Sequence, residues 1–191
     1  NTNNVVPLRS NTSTSINRRR SPAAGSGPPP FKATLKLEEL DLKGLQKVFK
    51  KFSKSTKMKK LACLEYFFSH FAEVTYFTKT QDGTLTGTLG YGNPQIVASI
   101  AGQSISQTLM PEAFKFLAEL SPWVGPIEKL GTRDKAALTT FGFRALLHIG
   151  LFPITVSHQL VGLWLCTSNE PVNVTPKETK VIKKIFTDLD L

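Results

Sequence analysis

Three histidines, two cysteines and a run of lysines are the residues of this chain best suited to form a site. His70, His148 and His158 share no metal-ligand spacing with one another or with a cysteine. His148 lies in an apolar run and reads as a satisfied core histidine, whereas His158 falls in a predicted turn and is expected to be exposed. Cys63 and Cys166 sit in separate apolar segments with no CxxC or Cys/His pattern, so both read as small buried hydrophobes. No Gly-x-Ser-x-Gly elbow, P-loop or HExxH occurs. The closely spaced glycines Gly87, Gly90 and Gly92 have the wrong spacing for a phosphate loop and read as a twisted strand end. The carboxylate pairs Glu38–Glu39 and Asp188–Asp190 fall near predicted helix ends, in solvent. No nucleophile, base and orienting group form a set, so a non-enzymatic chain without cofactor or metal is expected.

The lysines are different, because they are concentrated. The chain has 191 residues and a net charge of +10. Residues 1–60 carry fourteen basic groups against Glu38, Glu39 and Asp41, a balance of +11, and residues 61–191 come to −1. Any polyanion contact is therefore expected from Arg18, Arg19 and Arg20 and from Lys43, Lys47, Lys50, Lys51, Lys54, Lys57, Lys59 and Lys60. The alternative for the lysine row is a solvated helix face.

Residues 1–30, rich in Asn, Ser, Thr, Pro and Gly, cannot bury enough surface to offset ordering and are expected to form a disordered basic arm. This arm has no acid and resembles an organellar transit peptide, of plastid or mitochondrion. It would equally serve as an arm lying along RNA or another subunit. A chain opening on Asn1 rather than Met is expected to be processed or excised.

The elements that would position these groups follow in order. Residues 31–57 are expected to be an amphipathic lysine-rich unit: over Lys36–Lys54, Leu37, Leu40, Leu45, Val48, Phe49 and Phe52 recur at helical spacing, with Gly44 as a weak point. Residues 58–191 are expected to form one domain. It opens with a helix over Met58–Ala72 that buries Leu61, Leu64, Phe68 and Phe71. A strand over Glu73–Thr80, an Asp82-Gly83 turn and a strand over Thr84–Tyr91 come next. A short helix after Pro94 and a helix over Pro111–Leu120 are predicted. Ser121–Thr132, with two prolines and two glycines, is expected to be irregular, with Trp123 packed on the body. Lys135–Phe143 reads as a helical turn. Ala145–Val156 and Leu160–Thr167 read as a buried hairpin around Ser157-His158-Gln159, with Pro153 at an edge or bulge. Thr175-Pro176-Lys177-Glu178 then caps a helix burying Val181, Ile182, Ile185, Phe186 and Leu189. No apolar run is long enough for a membrane span.

This order resembles a GAF domain. The residues that carry the likeness are LLHIGLFPI, VSHQ, LVGLWLCTSNEP with its Gly162, and VTPKETKVIKKIF, together with the helix–strand–turn–strand of Met58–Tyr91. The resemblance implies an α/β (α+β) fold with helices packed on an antiparallel sheet. The Asn-Lys-Phe-Asp-Glu signature of cyclic-nucleotide-binding members is missing, and neither cysteine stands in the Cys-His setting that attaches a bilin. The resemblance therefore implies dimerisation or partner binding, as a scaffold or regulatory module docking through its basic arm and lysine-rich helix on a protein or protein–nucleic-acid assembly. One alternative is a small-molecule sensor, because residues 95–132 correspond to the cover of the ligand cavity in GAF-like folds; Ser99, Gln103, Ser104, Gln107 and Trp123 would line that pocket. Another is a viral or organellar structural protein whose arm contacts RNA.

Overall fold

In the computed structural model, residues 4–7, 39–100, 102–143, 146–189 and 191 are described. The elements run β1 (Asn4–Pro7), α1 (Leu42–Lys51), α2 (Thr56–Phe68), β2 (Glu73–Lys79), β3 (Leu85–Gly92), α3 (Pro94–Ile100), β4 (Ser104–Ile105), α4 (Pro111–Ala118), β5 (Trp123–Pro126), a 3-10 turn at Ile127–Lys129, α5 (Thr132–Thr140), β6 (His148–Val156), β7 (Gln159–Ser168) and α6 (Pro176–Phe186). The strands form one sheet in the order β1-β3-β2-β7-β6-β5, with β4 also on β3. Every strand pair is antiparallel. The expected α+β fold is the observed one.

Both hairpins form where their turn chemistry places them. Ser157 and His158 take φ of 49° and 60°, the positive pair of a two-residue I′ turn, and Val156 pairs with Gln159 across it. Pro153 pairs with Leu163, while β5 covers β6 only between His148 and Leu151. The proline thus lies past the end of β5, where its missing N–H breaks no ladder bond.

The sheet separates two cores. One holds Leu45, Cys63, Tyr66, Phe67, Tyr76, Trp164, Cys166, Ile182 and Phe186, under α1, α2 and α6. The other holds Phe77, Leu85, Ile100, Met110, Leu117, Leu138, Leu151, Leu163 and Leu165, under α3, α4 and α5. Strand alternation divides β7 between them, Trp164 and Cys166 to the first and Leu163 and Leu165 to the second.

Several expectations need correction. The first helix starts at Leu42, not Lys36, because the Asp41 carboxylate accepts the Gly44 N–H at 2.7 Å and caps it there. Leu40 folds back over Gly44, so that a Cβ there would stand 2.5 Å from Leu40 Cδ1. In α2 the buried residues are Ala62, Cys63, Leu64, Tyr66 and Phe67, with Leu61 and Phe68 half-buried. The helix packs under α1 on one side and the sheet on the other, so its buried face is wider than the stripe that sequence spacing isolates. Within Ser121–Thr132, Trp123–Pro126 is an edge strand on β6, followed by the 3-10 turn. Pro126 stands at the strand's last position, where a proline is tolerated. The helical turn predicted over Lys135–Phe143 is a full helix from Thr132. Within the arm expected to be disordered, Asn4–Pro7 pairs with Leu89–Gly92 of β3. The other expectations for residues 1–38, Arg18, Arg19 and Arg20 among them, lie outside the described residues.

Candidate functional site

Helix α1 carries two stripes. Leu42, Leu45, Val48 and Phe49 face the body, with Leu45 fully buried. Lys43, Lys47, Lys50, Lys51 and Lys54 recur at i, i+4, i+7, i+8 and i+11 and are exposed, as is Lys57 at the start of α2. Among the described residues none of these six has a carboxylate within ion-pair distance. Lys51 Nζ lies 5.2 Å from the Phe52 ring centroid. Lys59 and Lys60 are half-buried, and Lys60 Nζ sits 5.1 Å from the centroid of Tyr76.

Helix α6 packs on the same core as α1 and α2 and carries lysines of its own. Its buried stripe is Ile182 and Phe186, with Val181 and Ile185 half-buried. Lys177, Lys180 and Lys184 are exposed, whereas Lys183 donates to Ser121 Oγ at 2.6 Å. Sequence reasoning missed these lysines because residues 61–191 are near neutral as a whole; their i, i+3, i+7 spacing opposite the apolar stripe was the available signal. Two acids of this layer, Asp41 and Glu178, are engaged by backbone. Asp41 caps α1, and Glu178 Oε2 accepts the Thr175 N–H at 2.8 Å and its hydroxyl at 2.9 Å. The backbone bond from Thr175 holds the Glu178 carboxyl below its ordinary range. By contrast, the layer of α3, α4 and α5 balances Lys115, Lys129, Arg133 and Lys135 against Glu112, Glu119, Glu128 and Asp134.

The five residues expected to line a pocket are distributed as follows. Ser104 Oγ bonds the Thr86 hydroxyl at 2.8 Å on β4, and the Gln103 carbonyl accepts the Gly87 N–H. The Ser99 hydroxyl is held between the carbonyls of Ile96 and Phe141. Gln107 is exposed between β4 and α4. Trp123 stacks on Phe116, ring centroids 4.1 Å apart, and belongs to β5 at the opposite edge of the sheet from β4.

The space between the sheet and α3–α5 is filled by the second core. Two small cavities border it. One of about 120 Å³ is lined by Ala72, Glu73, Ile96, Phe143, Leu146, Ser168 and Asn169. The other, about 170 Å³, lies between Ile127, Lys135, Leu138 and Leu146. A wider open notch of about 460 Å³ lies on the other layer, between Glu39, Asp41, His70 and Glu178. Burial raises the Glu73 carboxyl above its usual range, although the Thr167 hydroxyl donates to it at 2.9 Å.

The remaining chemical candidates lie apart from the lysine surface. Cys63 and Cys166 are free and fully buried, and burial pushes both thiols well up, away from the reactive thiolate. His148 Nδ1 accepts the Val172 N–H at 3.2 Å, and His158 is exposed. Among the described residues there is no cluster of three potential metal ligands, and no helix is long and apolar enough to cross a membrane.

No protein-family model and no curated protein matches the chain. Solved structures do. The phycocyanobilin-bound GAF domain of a cyanobacterial phytochrome superposes with a TM-score of 0.57 at 12% identity, over 78% of this chain and 91% of that one. The phycoerythrobilin-bound GAF domain of a cyanobacterial phytochrome gives 0.54 at 12% identity, over the same shares. The fold of this chain is GAF-like.

Proposed function

We propose that this chain is a non-enzymatic regulatory module that docks, through the lysine surface of α1, α2 and α6 and the basic arm with Arg18–Arg20, on a polyanionic surface of a larger assembly. The observation that carries this reading is the contrast between its two layers. The face under α3–α5, which would house a ligand in a sensor of this fold, is packed with Ile100, Met110, Leu117, Leu138 and Phe143. The two cavities found there among the described residues, of about 120 and 170 Å³, fall short of the roughly 300–1,000 Å³ of ordinary ligand sites. The two GAF neighbours named above hold bilins; here the cysteines that such a pigment would need are buried in the other core. The opposite layer instead exposes Lys43, Lys47, Lys50, Lys51, Lys54 and Lys57, which among the described residues have no carboxylate within ion-pair distance.

The test uses the full chain, because Leu45 belongs to the core and removal of residues 1–60 would unfold what it is meant to probe. Binding to immobilised heparin is measured for the wild type and for Lys43→Glu/Lys47→Glu/Lys50→Glu. The reading expects salt-sensitive retention that the variant loses with its melting temperature unchanged. Equal retention of the two proteins would overturn it. So would a small molecule that co-purifies stoichiometrically and raises the melting temperature.

A further inference from the structure

The lysine layer has features that narrow its partner. From Lys43 to Lys51 the α1 row advances about 6 Å per lysine pair at 1.5 Å per residue. Lys54 lies in the turn after α1, Lys57 opens α2, and Lys177, Lys180 and Lys184 form a second row on α6. Glu39, Asp41 and Leu42 at the start of α1 line one notch together with His70 and Glu178 of α6. The row on α6 lies outside the segment that gives the chain its basic composition, so the folded layer itself supplies positive charge.

What the layer lacks is equally informative. The exposed large apolar residues among the described ones are Leu109 and Val156, neither on α1, α2 nor α6. Phe49 and Phe68 are packed against the core, and Phe52 is half-buried with Lys51 Nζ over its ring. The surface therefore offers no aromatic platform on which unpaired bases would stack and no apolar wedge to enter a bilayer. Lysine is a compact point charge that suits phosphate without the forked geometry that reads base edges. Asp41 and Glu178 keep their charge in the caps of α1 and α6, but with Glu39 and Glu65 they are outnumbered by the lysines of these three helices.

We infer that the α1–α2–α6 layer binds the phosphate backbone of a nucleic-acid duplex without reading its sequence. The inference rests on the docking reading above and names the partner for it. Phosphates along a duplex present about one charge per 1.7 Å of axis. Each lysine that neutralises one adds about 0.9 to the steepness with which binding falls as salt rises.

The experiment titrates the full chain against a fluorescent duplex of arbitrary sequence, the corresponding single strand, and phosphatidylserine vesicles. Lys43→Glu/Lys47→Glu/Lys50→Glu and Lys177→Glu/Lys180→Glu/Lys184→Glu are measured beside the wild type. The expected result is duplex binding tighter than single-strand or vesicle binding, and equal for two duplexes of unrelated sequence. Each triple variant should weaken duplex binding at least about tenfold near 0.1 M salt and flatten the salt slope by roughly 2–3. Circular dichroism should show both variants folded. An α6 variant that binds duplex like the wild type overturns the composite surface. Tighter binding to vesicles or to the single strand overturns the choice of partner but leaves docking on a polyanion standing. If the α1 variant loses affinity for none of these probes nor for heparin, the docking reading itself fails.

Discussion

The ring of Tyr76 lies directly over Gly162. A Cβ built on that glycine would stand 2.5 Å from the Tyr76 hydroxyl oxygen and 3.0 Å from Cζ. The same ring leans on Trp164, centroids 4.8 Å apart, and Lys60 Nζ caps it. The glycine near the start of β7, at the position where the GAF pattern has one, is therefore a steric requirement of the first core. Gly162→Ala should destabilise the protein by about 1–3 kcal/mol, the usual cost of overpacking. In a chain of this length that lowers the melting temperature by roughly 2–4 °C per kcal/mol. Tyr76→Phe removes the nearest clashing atom, so a double-mutant cycle in urea should show a smaller Gly162→Ala penalty in the Phe background. Equal penalties in both backgrounds would show that the clash lies elsewhere.

Two carboxylates pull the acid stability in opposite directions. Asp82, exposed in the first hairpin turn, is lowered to about 2 by the Thr80 hydroxyl and then by the Thr84 N–H and hydroxyl. Its stabilising contribution is full above the ordinary aspartate value and is lost as pH falls through about 2. Glu73 is raised by burial, so the folded state binds its proton more tightly than the unfolded chain. Its effect is to lower stability as pH rises from the ordinary value of 4.5 through the folded one. Glu73→Gln keeps an acceptor for Thr167 and removes the charge. The variant should melt higher than the wild type at pH 7 and match it near pH 3. A variant that melts lower at pH 7, with no convergence in acid, would refute this account of Glu73.

Much of the fold was legible because its signals are local. The Asp82-Gly83 turn, the paired strands around Ser157-His158 and the box of Thr175 and Glu178 are each written within a few residues, and each forms as read. What sequence did not show depends on neighbours distant in the chain. Trp123–Pro126 becomes a strand only because β6 offers a free edge there, a pairing that two prolines and a glycine obscure. The start of α1 depends on Leu40 and Asp41 folding back, whereas periodicity alone carries the pattern on toward Lys36. For the site, the lysines of α1 were readable as a charge run. Those of α6 were not, because averaging over residues 61–191 cancels them against acids elsewhere in that segment, such as Glu73, Asp82 and Glu170.

Asp134 shows how a distant residue fixes a helix start. It is fully buried on α5, and its two oxygens accept the N–H groups of Glu112 and Ala113 at 3.2 and 2.7 Å, in the first turn of α4. Met110, at the N-cap position, provides no side-chain bond of its own. Asp134→Ala should therefore cost about 1–3 kcal/mol by leaving buried donors unsatisfied, and Asp134→Asn, with one acceptor oxygen, should fall between it and the wild type. The Lys115–Glu112 pair on the surface of the same helix, 2.8 Å apart, should matter less: Glu112→Gln is expected to change stability by under about 1 kcal/mol. Urea midpoints of the three variants check the order.

Leu45 decides whether α1 is an appendage or part of the body. It is fully buried against the core of Tyr66, Phe67 and Ile182, while the lysines on the opposite stripe of the same helix face solvent. Leu45→Ala should cost about 2–5 kcal/mol, the range for truncating a buried leucine. Lys47→Ala, one turn away and exposed, should stay within about 0.5 kcal/mol. A chain beginning at residue 39 keeps Asp41 and the whole of α1, losing β1 and its four-residue pairing, and should still unfold cooperatively. One beginning at residue 61 loses Leu45, Val48 and Phe49 together and exposes the outer side of α2, and it should not. If the shorter chain melts as sharply as the longer one, α1 is dispensable to the fold and its lysines sit on a separable element. If it does not, the helix that carries the candidate docking surface also holds the first core, and binding there would be expected to stabilise the whole domain.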